Sequence, residues 1–287
     1  MYETMKIFRL SILTSLLLTV AVNAESQYLK RSLSCATEAR MEITASAAHY
    51  LPVFGTGTDS SEIMKGIVRY GNLRVDPAGQ SNSVKYPDEE EVIYVLEGTG
   101  LLQYGKTEVP VSRNDYIYIP AGTRFSLSNP RERVLSVFVM GFRIMPGNTV
   151  KPSSVMMIAN ADEVPFKVLG YHGPTTTFQL LMGTTESTRD RLAAACQVTS
   201  LFVMDFAAGG TNIPHKHDDE EEIYFILRGR GDIVAGETPD GKEYRHPSGA
   251  GDAYFFSPKT LIGFYSGNGE CEEHARILAV RFKYPSR

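Results

Sequence analysis

The sequence predicts an all-β protein that consists of two tandem jelly-roll β-barrels, and three observations support this fold class. A stretch that begins at Asp88 recurs at Asp219. Each copy contains short runs of Val, Ile, Tyr and Phe separated by Gly, Pro, Asn and Asp, a pattern typical of strands and turns. The composition, 43% hydrophobic and 22% charged, is that of an ordinary folded protein.

The repeat defines two domains. Asp88–Gly100 corresponds to Asp219–Gly231, and the offset is 131 positions from Glu91 to Glu222. Solenoid repeats span roughly 20 to 50 residues, so this period fits two complete domains instead. Closing each set of strands into a barrel protects the strand edges and leaves a mouth that can hold a ligand. We therefore assign residues 25–150 to the first barrel and residues 151–287 to the second.

Residues 1–24 are predicted to be a secretory signal peptide. Lys6 and Arg9 precede an apolar stretch, Leu10–Val22, which ends shortly before Ala24. The stretch is shorter than the roughly 20 apolar residues that cross a bilayer. We therefore expect cleavage after Ala24, an exported protein in a periplasm or outside the cell, and no membrane span after cleavage.

The charge balance excludes one class of partner. The chain has 29 Lys and Arg against 33 Asp and Glu, a formal net charge of −4, so it lacks the basic footprint of a nucleic-acid-binding protein.

Cys35, Cys196 and Cys271 have no metal-type spacing and allow at most one disulfide within the chain. We expect a small-molecule ligand or substrate as the partner. The oligomeric state stays open, a homo-oligomer included.

The second copy contains a set of metal-type side chains. His215 and His217 are two residues apart, so on a strand both imidazoles point to one face and Lys216 points to the other. A return strand that starts near Glu222 can bring a carboxylate beside them. Two imidazole nitrogens and one carboxylate oxygen suit one divalent transition metal, which could be iron, manganese, nickel, cobalt or zinc.

These residues resemble the first motif of the cupin superfamily. Its Gly-x5-His-x-His-x(3 or 4)-Glu-x6-Gly pattern is matched by Gly209, His215, His217, Glu222 and Gly229. The resemblance extends through both copies and implies a two-barrel member, a bicupin of the RmlC-like jelly-roll type. It also implies that the two histidines and the glutamate bind a metal inside the second barrel.

The second cupin motif is incomplete in this chain. The resemblance assigns a third histidine ligand to the position of Gly263, which has no side chain to offer. The site therefore either uses two histidines and one carboxylate or takes a fourth ligand from elsewhere. The nearby candidates are His246, His274 and Tyr265.

The first copy has lost most of the motif. Aligning Glu91 with Glu222 places Val84 and Tyr86 at the two histidine positions, and Phe125 takes the third. A lone carboxylate beside these side chains should not hold a divalent ion. We therefore expect the first barrel to be metal-free, with a structural or substrate-shaping role, and to pack on the second barrel through the outer faces of the sheets, with Tyr and Phe supplying much of the contact.

Several further residues receive local predictions. Tyr224 and Ile226 share the face of Glu222 by alternation, so they should line the barrel interior, as ordinary core or as substrate contacts. The acidic run 218–221 is predicted to be a solvated turn, because like charges seek water. Helix candidates are peripheral, at Thr188–Ala195 and Ser34–Met41.

Two classes of function fit these patterns. In the first, the protein is an exported metal-dependent enzyme, resembling cupin dioxygenases, isomerases or decarboxylases, that acts on a small oxygen-bearing molecule in the second barrel. In the second, it is a non-catalytic binding or storage-type cupin with a structural metal or none. The retained metal triad favours the enzyme, and the missing fourth ligand favours the binding protein.

Overall fold

The computed structural model describes residues 28–59, 62–148, 156–267 and 274–284. The predicted signal peptide and the predicted boundary between residues 150 and 151 lie outside these ranges, as does Cys271. Nearly all regular structure in the described residues is β-strand, with 3-10 helices at Leu33–Cys35, Ala161–Glu163 and Gly170–His172.

The strands alternate with short turns along the whole chain. In the first half they are β1 (Tyr28–Ser32), β2 (Ala48–Gly55), β3 (Ile67–Val75), β4 (Val84–Lys85), β5 (Glu89–Glu97), β6 (Thr99–Tyr104), β7 (Thr107–Ser112), β8 (Asp115–Ile119), β9 (Arg124–Ser128) and β10 (Leu135–Arg143). In the second half they are β11 (Met157–Asn160), β12 (Thr176–Thr184), β13 (Leu192–Ala195), β14 (Val198–Phe206), β15 (Glu220–Arg228), β16 (Arg230–Glu237), β17 (Glu243–Gly249), β18 (Asp252–Phe256), β19 (Ile262–Ser266) and β20 (Arg276–Lys283).

These strands form two barrels, each of a larger and a smaller sheet, which confirms the predicted fold class. The first barrel combines the sheets β11-β8-β5-β10-β3-β2 and β4-β9-β6-β7. The second combines β1-β18-β15-β20-β14-β12-β13 and β17-β16-β19. Each barrel encloses its own apolar core between its two sheets.

The two halves of the chain exchange strands. β1 pairs antiparallel with β18 of the second barrel, and β11 pairs antiparallel with β8 of the first. The predicted ranges 25–150 and 151–287 each contain one copy of the repeat. The large sheet of each barrel, however, takes one edge strand from the other range, β1 in the second barrel and β11 in the first. This exchange covers an edge that would otherwise expose unpaired backbone groups.

Aromatic side chains from the outer faces of the two large sheets pack together between the barrels. The ring centroids of Phe138 and Phe225 are 4.6 Å apart, and those of Phe142 and Phe282 are 4.8 Å apart. These residues belong to one apolar cluster that draws on both barrels. The prediction that the barrels pack through the outer faces of their sheets is therefore confirmed. The cluster contains the predicted Tyr and Phe residues and, in addition, Val, Leu and Ile.

A buried carboxylate from each barrel also crosses this contact. Glu90 accepts backbone N–H groups of Cys196, Gln197 and Val198 at 2.8, 2.7 and 2.8 Å, and the Tyr118 hydroxyl at 2.9 Å. These backbone groups belong to the segment that enters β14. The carboxylate thus satisfies donors that β14 itself cannot pair, and it ties the second barrel to the first.

Glu221 makes the matching contact in the other direction. Its carboxylate accepts the N–H groups of Lys65 and Gly66, both at 2.8 Å, where the chain enters β3. Glu221 is fully buried, and Glu220 makes an ion pair with Arg281 at 3.0 Å. The prediction that residues 218–221 form a solvated turn was therefore wrong for Glu220 and Glu221, because β15 begins at Glu220 and its outer face lies against the first barrel.

Both helix predictions were wrong. Residues 192–195 form the strand β13, which pairs in parallel with β12, and the stretch 34–41 contains only the end of the 3-10 helix Leu33–Cys35 and an isolated bridge from Ala39 to Tyr50. Local helix propensity is a weak preference, and pairing with a neighbouring strand overrides it.

The buried carboxylate at Glu90 predicts a pH-dependent stability. Burial raises the pKa of Glu90, which backbone N–H groups only partly oppose. The carboxyl group of Glu90 therefore keeps its proton in the folded protein at pH values above about 4.3, the ordinary pKa of a glutamate in the unfolded chain. The stability that this group contributes is fully present below about pH 4.3 and is lost as the pH rises through the pKa of the folded state.

We expect the stability of the wild type relative to Glu90→Gln to decrease as the pH rises above 4.3, by at most about 1.4 kcal/mol per pH unit. Urea unfolding between pH 4 and pH 9 measures this difference. Glu97→Gln, at an exposed position on the same strand, is the matched control and should show no such trend. Parallel curves for wild type and Glu90→Gln would contradict the assignment.

Candidate metal centre

The two histidines lie in the irregular segment between β14 and β15. His215 forms an isolated antiparallel bridge with Ile262 of β19, with reciprocal backbone hydrogen bonds of 2.9 and 2.8 Å. The carbonyl of His217 accepts the N–H of Lys259 at 2.6 Å. These bonds fix the backbone on either side of Lys216, whose side chain reaches away to the carboxylate of Glu237.

Glu222 completes the group from β15. It lies opposite Phe256 of β18 and Arg281 of β20, so it has a strand on each side. Its side chain is 2% exposed. The regular alternation of β15 therefore directs this carboxylate into the barrel, whereas its neighbour Glu221 points to the interface.

The structure brings the three predicted ligands together. The Nε2 atoms of His215 and His217 are 3.2 Å apart, and His217 Nε2 lies 3.1 Å from Glu222 Oε2. All three donor atoms lie within 4.8 Å of one another. The three side chains therefore meet at one point, while metal binding by them stays a prediction; we call His215, His217 and Glu222 the triad.

The electrostatics of the triad fit a bound cation. Despite the short distance to His217, Glu222 Oε2 makes no hydrogen bond of acceptable geometry with any described residue, and it is fully buried. Burial lowers the pKa of His215, which keeps the ring neutral. Its Nδ1 lies 3.0 Å from the carbonyl of Ile213, so an Nδ1 proton donated there leaves Nε2 with a lone pair. A buried carboxylate oxygen without a hydrogen bond, beside an imidazole nitrogen that keeps its lone pair, suits a divalent ion.

A cavity of about 140 Å³ adjoins the triad, and we call it the triad cavity. One part of its wall is apolar and the other carries imidazole, guanidinium and hydroxyl groups. The lining residues are Leu169, Tyr171, His172, Phe178, Leu180, Arg189, Ser200, Phe202, His215, His217 and Arg281. A larger and more open depression of about 610 Å³, between β16, β17 and β19, shares none of these residues.

Two guanidinium groups reach the triad cavity. Arg281 Nη1 lies 3.4 Å from both ring nitrogens of His217, and Arg189 Nη2 donates to Ser200 Oγ at 3.1 Å. Ser200 is opposite Arg281 on the neighbouring strand, which brings the two arginines to the same side. The wall of the triad cavity therefore carries two guanidinium groups, although each also has a carboxylate neighbour, Glu220 for Arg281 and Asp190 for Arg189.

The three fourth-ligand candidates have other partners. His246 packs against Tyr28 with a centroid distance of 5.1 Å, Tyr265 donates its hydroxyl to Glu243 at 2.9 Å, and His274 lies 3.5 Å from Asp205. None of the three lines the triad cavity, so the structure does not support them.

The position of Gly263 has no room for a ligand side chain. A Cβ atom there would lie 2.9 to 3.1 Å from three atoms of Pro214. Because Pro214 directly precedes His215, a side chain at 263 would displace the segment that carries the triad. The histidine that the family resemblance assigns to this position is therefore excluded by packing as well as by sequence.

The first barrel holds a guanidinium where the second holds the triad. Val84 and Phe125 are buried and face each other on β4 and β9. Arg69 Nη1 donates to Glu91 Oε1 at 2.5 Å, and its guanidinium lies 3.7 Å from the ring centroid of Tyr86. An internal ion pair thus engages this carboxylate, and the absence of a metal from the first barrel stays a prediction.

Tyr224 and Ile226 lie inside the second barrel, as alternation predicts, but they belong to its apolar core. Both are almost fully buried, and the Tyr224 hydroxyl accepts the Asn212 side-chain amide at 3.2 Å. The wall of the triad cavity consists of other residues, so the structure does not place Tyr224 or Ile226 as substrate contacts.

Among the cavity residues that sequence reasoning missed are three basic ones: His172, Arg189 and Arg281. His172 belongs to a 3-10 helix before β12, outside any recognisable motif, and Arg189 lies in a loop. Only Arg281 carried a usable signal, since β20 neighbours β15 and a charged residue within an apolar strand is unusual.

Comparisons with known proteins agree with this architecture. A family model described as "Cupin domain" matches residues 72–141 and 202–280, which together make up a little over half of the chain. A germin-like protein 5-1 of Oryza sativa subsp. japonica is 38% identical over 71 residues, 25% of this chain and 31% of the relative. A germin-like protein subfamily 2 member 1 of Arabidopsis thaliana is 38% identical over 71 residues, 25% of this chain and 32% of the relative. The match thus spans about a third of the length of these relatives.

Solved structures resemble the whole described architecture at low sequence identity. A putative glyoxylate-induced protein from Pseudomonas aeruginosa has a TM-score of 0.69 at 14% identity, with 91% of this chain and 90% of that chain covered. An oxalate decarboxylase from Lactobacillus farciminis, in complex with formate, has a TM-score of 0.64 at 10% identity, with 90% and 86% covered. A Bacillus subtilis oxalate decarboxylase with Mn(II) centres has a TM-score of 0.64 at 14% identity, with 90% of this chain and 78% of that chain covered. At these identities the likeness concerns the fold.

Among the described residues, no helix has the length and apolar character to cross a membrane.

The ion pair in the first barrel generates a stability prediction. Replacing Arg69 by Met leaves Glu91 as an uncompensated buried charge, and burial already raises the pKa of Glu91 to about 8. We expect Arg69→Met to cost about 3–5 kcal/mol, and Arg69→Met combined with Glu91→Leu to recover most of that loss. Denaturant unfolding at pH 8.5 measures both values. The control Arg74→Met, at an exposed position on the same strand, should change the stability little. If Arg69→Met and Arg74→Met lost the same stability, the proposed role of Arg69 would be contradicted.

Proposed function

Because the chain belongs to the cupin family, we propose that it is a metal-dependent enzyme that acts on a small, anionic, oxygen-bearing molecule in the second barrel. The observation that carries this proposal is the triad, which adjoins a cavity lined by two arginines on one part of its wall and by apolar side chains on another. His215, His217 and Glu222 would hold one divalent transition metal, either iron, manganese, nickel, cobalt or zinc. When bound, such an ion polarises substrate oxygens and stabilises the negative charge that develops on them.

The arginines support an anionic substrate. Arg189 and Arg281 bring two fixed positive charges to a cavity whose buried carboxylate, Glu222, faces the metal position. The neighbouring charges of Glu220 and Asp190 each pair with one of these arginines at 3.0 and 3.5 Å, which orients the guanidinium groups. Guanidinium groups bind carboxylates through paired hydrogen bonds, so a carboxylate is the substrate group that fits this wall.

The cavity volume supports a small substrate. About 140 Å³ is well below the roughly 300–1,000 Å³ of typical drug-sized sites, so only a few non-hydrogen atoms fit. Phe178, Leu180 and Phe202 supply an apolar surface that excludes water from the remaining side. A low local dielectric strengthens every charge interaction with the substrate.

Proteins of similar fold include enzymes that act on a small carboxylate. Oxalate decarboxylases are among the proteins of similar fold, one in complex with formate and one with Mn(II) centres. A decarboxylase, dioxygenase or isomerase reaction on a small carboxylate is consistent with this neighbourhood. The alternative, a cupin that binds a small anion without chemistry, uses the same cavity and differs only in turnover.

Metal analysis and turnover test the proposal together. We expect about one transition-metal ion per purified chain, and its loss from His217→Ala in the presence of a chelator, because this variant lacks the imidazole that lies between His215 and Glu222. Arg189→Gln should keep the metal and weaken substrate binding about 10- to 100-fold, since one charge-assisted hydrogen bond is lost. His274→Ala removes a largely exposed imidazole outside the triad cavity and is the matched control.

Turnover is measured as oxygen uptake and carbon dioxide release with oxalate, 2-oxo acids, β-diketones and diols. Oxamide, the neutral analogue of oxalate, should bind more weakly because it lacks the charge for the guanidinium groups. A folded wild type without metal would refute the enzyme. A metal-loaded protein that binds oxalate and converts none of the panel would favour the binding protein.

We also propose that the protein is exported, on the evidence of the signal-type pattern in residues 1–24. β1 starts at Tyr28, soon after the expected cleavage point, and its backbone is needed to complete the second barrel. Expression of the full chain in its own host should yield a mature protein whose amino terminus is Glu25, as read by mass spectrometry of the terminal peptide. Retention of residues 1–24 on the folded protein would contradict this proposal.

A further inference from the structure

The family resemblance assigns a further histidine ligand to the position of Gly263, which has no side chain and no room for one. A Cβ atom at Gly263 would meet Pro214 at 2.9 Å. Another part of the described chain does bring an imidazole to the same cavity. His172 belongs to the 3-10 helix Gly170–His172 in the connection between the barrels, and its ring lines the triad cavity.

The ring of His172 continues the row of imidazoles. The centroids of His172 and His215 are 4.9 Å apart, the same distance as between His215 and His217. His172 is 8% exposed, and its other side packs on Phe178 with a centroid distance of 4.9 Å. The imidazole is therefore held in the cavity wall by packing on both sides.

The hydrogen bonds of His172 select the ring nitrogen that can bind a cation. Nδ1 lies 2.7 Å from the carbonyl oxygen of Asn212, and an amide carbonyl only accepts, so Nδ1 carries the proton. Nε2 then keeps its lone pair, and it has no hydrogen-bond partner among the described residues. His215 has the same arrangement, with Nδ1 at 3.0 Å from the carbonyl of Ile213. Metal-binding histidines are typically oriented in this way.

The anchor of His172 is itself fixed. Asn212 is fully buried; its Oδ1 accepts the N–H of Phe264 at 2.9 Å and its amide donates to Tyr224 at 3.2 Å. Asn212 lies three residues before His215, so one short segment holds a triad ligand and orients His172. A chance surface histidine would not have such a rigid acceptor.

We propose that His172 is the fourth protein ligand of the metal and binds through Nε2, in place of the histidine that Gly263 lacks. This inference rests on the proposed metal-dependent function. In the present structure His172 is not among the donors that lie within 4.8 Å of one another, so coordination would require Nε2 of His172 to move closer to the triad. Three imidazoles and one carboxylate would then hold the ion.

The experiment uses the mature protein loaded with Co(II), whose paramagnetism shifts the ring N–H signals of coordinated histidines far downfield. We expect three such exchangeable signals in the wild type and two in His172→Ala. The variant should also bind Co(II) at least about tenfold more weakly in competition with a chelator, a loss comparable to that for removing a metal's supporting groups. Added imidazole should restore the third signal in His172→Gly, because the smaller side chain leaves space for it.

His246→Ala and His274→Ala remove imidazoles that do not line the triad cavity and should leave the signals and the affinity unchanged. Circular dichroism confirms that each variant is folded. An unchanged number of shifted signals in His172→Ala would overturn the proposal, even if the affinity falls, since an outer residue can weaken binding without being a ligand. A wild type that binds no Co(II) would overturn both this inference and the proposed function, whereas stoichiometric binding that does not depend on His172 would overturn the inference alone.

Discussion

The structure depends on how each barrel compensates a carboxylate that is buried at its centre. Glu91 and Glu222 occupy equivalent positions of the repeat and are 1% and 2% exposed. An ionised carboxylate in such surroundings is stable only beside a positive charge or several donors. The first barrel supplies the guanidinium of Arg69, whereas the second supplies the triad histidines and, in our proposal, a metal ion. One constraint therefore has two solutions, and in the second barrel the triad adjoins a cavity.

The strand register explains why the two solutions exclude each other. Arg69 and Ser200 occupy equivalent positions on β3 and β14, and Gly141 and Arg281 occupy equivalent positions on β10 and β20. In the first barrel a Cβ atom at Gly141 would lie 2.7 Å from the Arg69 guanidinium, so the glycine makes the space that the arginine fills. In the second barrel Ser200 occupies the position equivalent to Arg69, and the arginine, Arg281, is on the neighbouring strand at the position equivalent to Gly141. Ser200 and Arg281 both line the triad cavity.

Adjacent glutamates on one strand do different work because side chains on a strand alternate between faces. Glu91 and Glu222 point into the barrels, and Glu90 and Glu221 point across the interface to backbone N–H groups of the other barrel. In both copies, the acidic run therefore contributes a glutamate that hydrogen-bonds across the contact between the barrels. Exchange of β1 and β11 between the halves adds to this coupling, so the position of the connection that carries His172 depends on both barrels.

The sequence by itself determined the all-β class, the number of barrels and the three triad residues, because a repeat, the two-residue period of strands and the spacing from His215 to Glu222 are local or periodic features. It also identified the degenerate first copy, since substitutions at known positions can be read directly. The tertiary structure alone decided the strand exchange, the burial of Glu221, the replacement of Tyr224 and Ile226 by other residues at the cavity wall, and the arrival of His172. These depend on which strands become neighbours across more than a hundred residues of chain, and pairing at that distance is set by the packing of the complete barrel, which no local pattern encodes.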